Sequence, residues 1–565
     1  MRIVADRASF VLGAAGRTVL AVALCTLGAC SGQRPQPAAP GPVPTAPREP
    51  RSVVPPAAQP PSRPAPAPVP PAVQEAPAGL PGVPRITNAP LRLTVVYPSS
   101  AQLITSRDSN FVLGSVGSGD AVLSINGAPV DVSPNGAYLA WLPIPEGTSH
   151  VYRLVARRGG DSVVLEHPVA TWRSAVPAAP RGAPSRPAPP GLVALGKRIN
   201  GAPDTDRVIN VRPVPNGTYK WFAIPGTIVE RTGSENSFTR IRLDADLEAY
   251  VATSDVVELP GADSAQATPP RRVVGNLTVV PDSAWTDIVF PLRDPPLYYV
   301  DEEADRLILT LYATRATTDI ITYRPGDGLV RAVTWEQVTT DRARYVVHLR
   351  GAPYGYLVFH DGRSLILRVR EAPRVNHERP LEGLTIAVDA GHPPAGSTGP
   401  TGLYEGDATL AIAVALKDEL ERRGASVVMT RTTRDPLALG ARPVMARRAN
   451  VHALVSIHLN ALPDGVNPFT ANGTGTYYFV LQSEPLARAA QAGMVGAMGL
   501  RDLGVFYDNL ALVRETWMPA ILCEGAFVIV PAQEAAMRDP AGQRAYARGV
   551  AAGVEAYFRA LGTSQ

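Results

Sequence analysis

Four titratable side chains in the last third of the chain have the types and the order that hydrolysis with a bound metal ion requires. They are His392, Glu405, His458 and Glu524. Two neutral imidazoles and one carboxylate form a three-ligand zinc set that leaves a fourth position open for water, and a further carboxylate can carry a proton. Each residue alone has an ordinary structural role, such as a glutamate that favours a helix start. The inference therefore requires that the four side chains lie close together in the folded protein.

The elements around these residues predict where they meet. From Leu384 onward strand-like runs alternate with helical stretches, which indicates an α/β layer fold with a largely parallel sheet. The predicted strands are residues 385–389, 426–430, 454–457, 476–480 and 520–523, and the first helix is 405–423. Ligands of such sheets bind beyond the carboxyl ends of the strands. Because His392, His458 and Glu524 each follow a strand and Glu405 opens the helix, we expect all four at one sheet edge.

Four ordered blocks resemble the family of zinc N-acetylmuramoyl-L-alanine amidases, which cut bacterial peptidoglycan. The blocks are Asp389-Ala390-Gly391-His392, Glu405, Arg442 with Ser456-Ile457-His458, and residues 519–524. The resemblance covers about residues 384–558 and implies that His392, Glu405 and His458 bind one zinc ion. It also implies that Glu524 is catalytic in hydrolysis of the amide between N-acetylmuramic acid and L-alanine of the stem peptide by zinc-activated water.

Three further polar residues are candidates for contacts around this site. Arg442, Asn460 and Asn509 could order the ligands or contact substrate, and purely structural roles fit them equally well. The sequence departs from the family pattern in the loop 393–397 and in the block 523–528, and neither departure removes a ligand. Between Ser483 and Leu510 there is room for one core helix and a short loop, so we expect no segment that blocks the site.

The rest of the chain predicts several small all-β domains and Pro-rich linkers. With 565 residues the chain is too long for one core, and its 58 prolines are clustered. The predicted units are a signal peptide (1–30), a Pro-rich tether (31–88), an immunoglobulin-like β-sandwich (89–173), a Pro/Ala-rich linker (174–191), an SH3-like β domain (192–262), a β-rich domain that could be a targeting module (270–375) and the catalytic domain (382–561).

The N-terminal signal predicts export. Its apolar core is short, and small residues before Cys30 resemble a lipobox, which predicts a lipid anchor in the cell envelope, in the periplasm and on an outer membrane where one is present. An ordinary signal peptide with an incidental cysteine is the alternative. Of three cysteines only Cys523 lies beyond the signal, so no disulfide framework is possible and a metal must be held by His and carboxylates.

The family resemblance implies peptidoglycan as a partner, and the lipobox-like signal at Cys30 implies a membrane. A formal net charge of +4 gives no basic field of the kind that nucleic-acid binding needs. Regulators of the divisome or the wall stay open. Two other functions also stay open, namely a catalytically inactive wall-binding lipoprotein and a zinc peptidase that cuts within the stem peptide.

Overall fold

A computed structural model describes residues 78–100, 102–145, 150–171, 190–196, 198–199, 202–203, 208–259 and 269–563. These segments all belong to one compact unit, 69–565. The signal peptide, Cys30, nearly all of the tether and most of the linker 174–191 lie outside the described residues. No helix in the described segments combines the length and the apolar character that crossing a bilayer requires.

The first β region has two small antiparallel sheets and one short parallel pair of strands around one core. Its strands are Thr94–Tyr97, Leu103–Ile104, Ser109–Ser115, Val122–Ile125, Ala128–Val130, Ala137–Pro143, Val151–Arg158, Asp161–Pro168 and Ala170–Thr171. A hairpin turns at Asn126-Gly127, where both residues have positive φ (49° and 82°) between paired strands. Buried Leu123, Tyr138 and Tyr152 belong to the core that both sheets cover.

The second β region contains a five-stranded antiparallel sheet. Its strands, in sheet order, are Leu247–Ala252, Phe238–Asp244, Ile228–Glu235, Gly191–Leu195 and Val256–Glu258, with a 3₁₀ turn at Thr253–Asp255. Short pairs form at Arg198–Ile199 with Ala202–Pro203 and at Ile209–Val211 with Trp221–Ala223. Trp221–Ala223 also pairs with Leu297–Glu303 of the next region. One six-stranded sheet therefore crosses the boundary that the sequence suggests between residues 262 and 270.

The third β region packs two sheets face to face over a continuous apolar core. Its strands are Arg272–Val274, Leu277–Pro281, Trp285–Phe290, Leu297–Glu303, Arg306–Tyr312, Thr314–Ala316, Ile321–Tyr323, Val330–Thr339, Arg342–Leu349, Gly355–Asp361 and Ser364–Arg370. Buried and half-buried positions alternate strictly along Arg342–Leu349. This is the pattern of a strand that turns one face toward the core between the two sheets.

The C-terminal region is an α/β layer around a six-stranded sheet, so the predicted multidomain chain with small β sheets and a C-terminal α/β domain is confirmed at that level. The strands are β1 (Thr385–Ala390), β2 (Ser426–Met429), β3 (Ala453–Asn460), β4 (Thr474–Tyr478), β5 (Asp502–Tyr507) and β6 (Ala520–Phe527). The helices are α1 (Glu405–Arg422), α2 (Ala441–Arg448), α3 (Glu484–Met498), α4 (Pro531–Arg538) and α5 (Pro540–Thr563).

The sheet order is β2-β1-β3-β6-β4-β5. Strands β2, β1, β3 and β6 run parallel, whereas β4 is antiparallel to β6 and parallel to β5. The expectation of only a short loop after the helix before Leu510 is wrong, because β5 forms there as an edge strand. Its signal is a short apolar run, Val505, Phe506 and Tyr507, whose pairing partner β4 is distant in sequence.

The third β region is hydrogen-bonded to the C-terminal α/β region. Arg370 donates to the carbonyl oxygens of Val451 (2.8 Å) and Trp517 (3.2 Å) and lies over the Trp517 ring, 4.7 Å from its centroid. The Tyr356 N–H donates to the Thr516 carbonyl at 2.7 Å. These contacts lie at the amino ends of β3 and β6, at the edge of the sheet away from the predicted site.

The first β region contacts the loop that follows β3. Asp464 in this loop accepts hydrogen bonds from the Thr105 N–H (2.7 Å) and from Asn110 Nδ2 (2.9 Å), and Asn110 Oδ1 accepts from the Gly465 N–H. These bonds fix the loop directly after the end of β3, where His458 lies.

Candidate metal centre

Three of the predicted residues converge on one point at the carboxyl edge of the sheet. The candidate ligand atoms of His392, Glu405 and His458 all lie within 4.8 Å of one another. Glu405 Oε1 is 3.1 Å from His392 Nε2 and 3.2 Å from His458 Nδ1, and the two imidazole rings lie 4.9 Å apart at 77°. Two nitrogens and one carboxylate oxygen therefore face a common position.

The backbone after β1 is shaped to bring the two histidines together. A Cβ atom on Gly391 would lie 2.5 Å from the His458 ring, so only glycine fits there. His392 itself has a φ of 55°, a left-handed conformation that costs energy in a non-glycine residue. Its Nδ1 lies 3.1 Å from the Pro394 carbonyl, which leaves Nε2 to face the cluster.

Arg442 forms hydrogen bonds with the strained loop that carries His392. Its guanidinium, 2% exposed as a residue, donates to Asp389 Oδ1 at 3.0 Å and to the Ala390 carbonyl at 2.7 Å. It also donates to the carbonyl oxygens of His392 (3.2 Å) and Pro393 (2.9 Å). Arg442 therefore binds the ligand-bearing loop rather than the space where substrate would lie.

The Asp389 carboxylate is completely buried, and its two oxygens accept hydrogen bonds from three side chains. Besides Arg442 it accepts hydrogen bonds from Thr430 Oγ1 (2.5 Å) and Ser456 Oγ (2.6 Å). A second buried arginine, Arg431, donates to the Gly391 carbonyl at 2.8 Å. Arg431 is not among the residues predicted from the sequence, and its only local signal is its position just after the second predicted strand.

Glu405 is held as a carboxylate by both its position and its partners. It opens α1, where the helix dipole favours negative charge. Its oxygens accept from the Ser397 N–H (2.9 Å) and the Leu459 N–H (3.1 Å). Burial alone would raise the pKa of Glu405, but hydrogen bonds from His392 and His458 outweigh it and lower that pKa to about 2.

Glu524 lies beside the three-residue cluster without joining it. Its strand β6 runs next to β3, and the register places Glu524 directly across from His458. Its Oε2 atom is buried and has no hydrogen-bond partner among the described residues. Burial and the nearby Glu405 charge raise the pKa of Glu524 well above its usual range. An unpartnered buried carboxyl next to a three-ligand set is the arrangement that a metal and a reacting water would complete.

The two asparagines differ in their surroundings. Asn460 ends β3 two residues after His458, and its Oδ1 accepts from the Ala461 N–H at 2.8 Å. Asn509 donates from Nδ2 to the Tyr219 carbonyl (3.1 Å) and accepts from Arg514 at Oδ1 (3.0 Å). The Asn509 side chain therefore joins the catalytic domain to the second β region, and only Asn460 is placed near the cluster.

Tyr546 on α5 supports the strand that carries Glu524, and no local sequence pattern indicates this role. Its hydroxyl accepts from the Gly525 N–H at 2.9 Å and donates to the Cys523 carbonyl at 2.7 Å. A Cβ atom on Gly525 would lie 2.3 Å from the Tyr546 ring, which explains the glycine beside Glu524. The hydroxyl thus fixes the backbone on both sides of the carboxyl group.

Replacing Tyr546 with phenylalanine is expected to lower the free energy of unfolding by about 1–3 kcal/mol, because it leaves a buried N–H and a carbonyl unsatisfied. Urea unfolding followed by circular dichroism measures this loss. The matched control is Tyr557→Phe on the same helix, whose hydroxyl makes no hydrogen bond within the described segments and whose loss should change stability by less. Equal stability of the two variants would contradict the role given to Tyr546.

Comparisons with known proteins agree with this geometry. The sequence profile described as N-acetylmuramoyl-L-alanine amidase matches residues 386–556. The uncharacterized protein YqiI of Bacillus subtilis (strain 168) is 31% identical over 193 residues, which are 33% of this chain and 91% of that protein. A protein of Staphylococcus epidermidis described as "Probable cell wall amidase LytH" is 31% identical over 183 residues, 32% of this chain.

The matched segment is shorter than some of these relatives. It spans 60% of the Staphylococcus epidermidis protein and 63% of its Staphylococcus aureus counterpart. A crystal structure of an N-acetylmuramoyl-L-alanine amidase from Clostridium difficile 630 matches with 33% identity and a TM-score of 0.29, covering 31% of this chain and 96% of that chain. With its C-terminal domain over residues 386–556, the chain belongs to the N-acetylmuramoyl-L-alanine amidase family.

Proposed function

We propose that this protein is a peptidoglycan hydrolase that cleaves the amide between N-acetylmuramic acid and L-alanine of the stem peptide. One observation carries the proposal. The ligand atoms of His392, Glu405 and His458 lie within 4.8 Å of one another, and on the strand next to that of His458 the Oε2 atom of Glu524 is buried with no hydrogen-bond partner among the described residues. Family membership supplies the class of bond, and the relatives named as cell wall amidases support peptidoglycan as the substrate.

The residues of the cluster fit a single zinc ion. Zinc is commonly held in catalytic sites by three nitrogen and carboxylate ligands, with a fourth position open. A zinc ion bound there would polarise the amide carbonyl and lower the pKa of water from 15.7 to about 7. Within the described residues no cysteine joins the cluster, since Cys523 is buried on the neighbouring strand.

The protein's own groups carry the protons. The positive charge of a bound zinc ion would offset the effect of burial and of Glu405 on the pKa of Glu524. The ionised Glu524 carboxylate would then accept a proton from the attacking water and deliver it to the alanine nitrogen as the C–N bond breaks. Arg442 and Arg431 keep the His392 loop in its strained conformation, so that the histidine does not have to reorganise during the reaction. Asn460 is the remaining candidate for a substrate contact.

The location of the protein is proposed from the sequence alone. A signal peptide would export the chain, a lipid on Cys30 would anchor it in the cell envelope, and the Pro-rich tether would let the zinc site reach the wall. Immunoglobulin-like, SH3-like and targeting roles for the three β regions are proposed on the same basis. Hydrogen bonds join the third β region to the C-terminal domain. They favour one rigid unit made of these two parts over a targeting module that moves freely on a hinge.

Metal removal tests the proposal. Dialysis of the purified protein against a chelator is expected to abolish release of stem peptide from purified peptidoglycan, and added Zn²⁺ should restore it. In His458→Ala, elemental analysis should find no retained zinc, and added Zn²⁺ should not restore the release of stem peptide. The matched control is His452→Ala, at the start of the same strand, whose ring accepts a hydrogen bond from the Thr385 N–H outside the cluster. Full activity after complete metal removal would refute zinc dependence, and inactivity of the zinc-loaded parent would support a wall-binding role instead.

A further inference from the structure

Two aromatic rings lie next to the candidate catalytic group on the same face of the sheet. In the β4–β6 register Gly475 pairs with Glu524, and Tyr477 follows two residues later on the same face. In the β4–β5 register Phe506 pairs with Tyr477. The rings of Tyr477 and Phe506 stack at 5.0 Å with an interplanar angle of 25°. We call this pair the aromatic strip.

A glycine allows the strip to approach Glu524. A Cβ atom on Gly475 would lie 3.0 Å from the Phe506 ring, tighter than ordinary contact. The ring of Phe506 therefore lies over Gly475, the residue directly across from Glu524. On β5 the position paired with Gly475 is Gly504, again without a side chain. Between Glu524 and the aromatic strip the surface therefore consists of glycine backbone, and the Phe506 ring borders it.

The strip has one polar end and one exposed end. Phe506 is 37% exposed and lies on the edge strand. Tyr477 is half-buried. Burial raises the pKa of Tyr477, so the hydroxyl stays neutral and able to donate. Neither residue is needed to fill the domain core.

The orientation of the scissile amide determines which part of the substrate would lie over the aromatic strip. In the proposed function Glu524 must contact the amide nitrogen, while the carbonyl oxygen faces the cluster of His392, Glu405 and His458. The chain on the nitrogen side then leaves across Glu524 toward Gly475 and Phe506. That chain is the stem peptide, whereas the glycan lies on the carbonyl side.

The charge around the strip matches this assignment. Exposed Asp508 directly follows the strand and acts electrostatically on Tyr477. This carboxylate suits the amino group of the diamino acid at the third position of a stem peptide. A glycan stripped of its peptide offers no cation, because its lactyl group ends in a carboxylate.

We propose, on the basis of the function proposed above, that Tyr477 and Phe506 form the subsite for the stem peptide and make a peptide longer than L-alanine the preferred leaving group. Phe506 supplies apolar and stacking contact to the second and third residues of the peptide. Tyr477 supplies its hydroxyl to a peptide carbonyl.

Calorimetric binding of the synthetic tripeptide L-alanyl-γ-D-glutamyl-L-lysine to the zinc-loaded full chain tests the subsite without turnover. The parent should bind, and Phe506→Ala should raise Kd by about tenfold or more through lost apolar contact. Phe506→Tyr should stay near the parent value. The control is Trp335→Ala, another aromatic that is 37% exposed but lies on the third β region. Circular dichroism of each variant checks the fold.

Hydrolysis separates this inference from the proposed function. N-acetylmuramoyl tripeptide should be cleaved with a higher kcat/KM than N-acetylmuramoyl-L-alanine, and Phe506→Ala should remove most of that preference by lowering kcat/KM more for the tripeptide substrate than for the shorter one. No tripeptide binding by the parent, an unchanged Kd in Phe506→Ala, or an equal loss on both substrates overturns the subsite. Weakened binding of a peptide-free tetrasaccharide instead would assign the strip to the glycan and also overturn it. Tripeptide binding that depends on Phe506 in a chain without amidase activity supports the subsite and refutes the proposed function.

Discussion

Replacing Glu524 with glutamine is expected to lower kcat/KM for muropeptide cleavage by about 10²-fold to 10⁴-fold, the range usual for loss of a general acid–base group. Glutamine has nearly the same shape, and the Glu524 oxygen that it replaces has no hydrogen-bond partner within the described residues. The fold should therefore persist. Because Glu524 is not one of the three clustered ligands, the zinc content of the variant should equal that of the parent.

Steady-state hydrolysis of a defined muropeptide, together with elemental analysis for zinc, measures both parts of this prediction. Glu555→Gln is the matched control, since Glu555 on α5 forms ion pairs with Arg559 and Arg423 outside the cluster. Activity of Glu524→Gln equal to that of the parent would show that the proton carrier has been misassigned. A parallel loss of zinc would instead make Glu524 a ligand.

Replacing Asp389 with alanine is expected to destabilise the catalytic domain by about 3–5 kcal/mol, because the buried Arg442 would lose its only carboxylate partner within the described residues. Thr430 and Ser456 would lose their shared acceptor as well. The same change loosens the His392 loop, so zinc affinity should fall by about 10-fold to 100-fold, as is usual for a group that supports a ligand.

Chemical unfolding of the zinc-free protein and competitive zinc titration read out these two effects separately. A double variant, Asp389→Leu with Arg442→Met, should recover part of the stability while zinc affinity stays low, since it removes the unpaired charge without restoring the loop. Glu421→Ala, which breaks the exposed Lys417–Glu421 pair on α1, is the control and should cost less than about 0.5 kcal/mol. A loss below about 1 kcal/mol in Asp389→Ala would contradict the buried-pair argument.

The centre is predictable from the sequence because its residues carry local signals. Strand ends are visible as apolar runs, and the carboxyl ends of parallel strands share one edge, so the sequence pattern is enough to place His392 and His458 together. The helix start at Glu405 is visible as helical periodicity. Assignment of Glu524 comes from the family resemblance, and the structure adds that it lies across from His458.

The supporting residues are not predictable, because their partners are distant along the chain. Arg431 reaches Gly391, and Tyr546 reaches the backbone around Glu524 from the last helix. Asn509 resembles Asn460 as a candidate substrate contact, yet its partner Tyr219 is 290 positions away. Nothing in the local sequence distinguishes such a residue from one that faces an active site.

Strand pairing explains the other differences. Strand β5 is short, and an edge strand is stabilised by a partner that the local pattern does not reveal. In the same way Trp221–Ala223 joins the sheet of the next region, which covers an otherwise open edge. Boundaries drawn from proline and turn signals mark breaks in the chain, whereas sheets can continue across them.

Hydrolysis of peptidoglycan in H₂¹⁸O, followed by mass spectrometry of both products, identifies the bond that the protein cuts. If the zinc-loaded protein cleaves the amide between N-acetylmuramic acid and L-alanine, the new oxygen enters the lactyl carboxylate of the glycan. The stem peptide then leaves intact, unlabelled and with a free L-alanine amino group. Label in a carboxylate within the peptide, with L-alanine still attached to the glycan, would refute amidase activity and identify a peptidase.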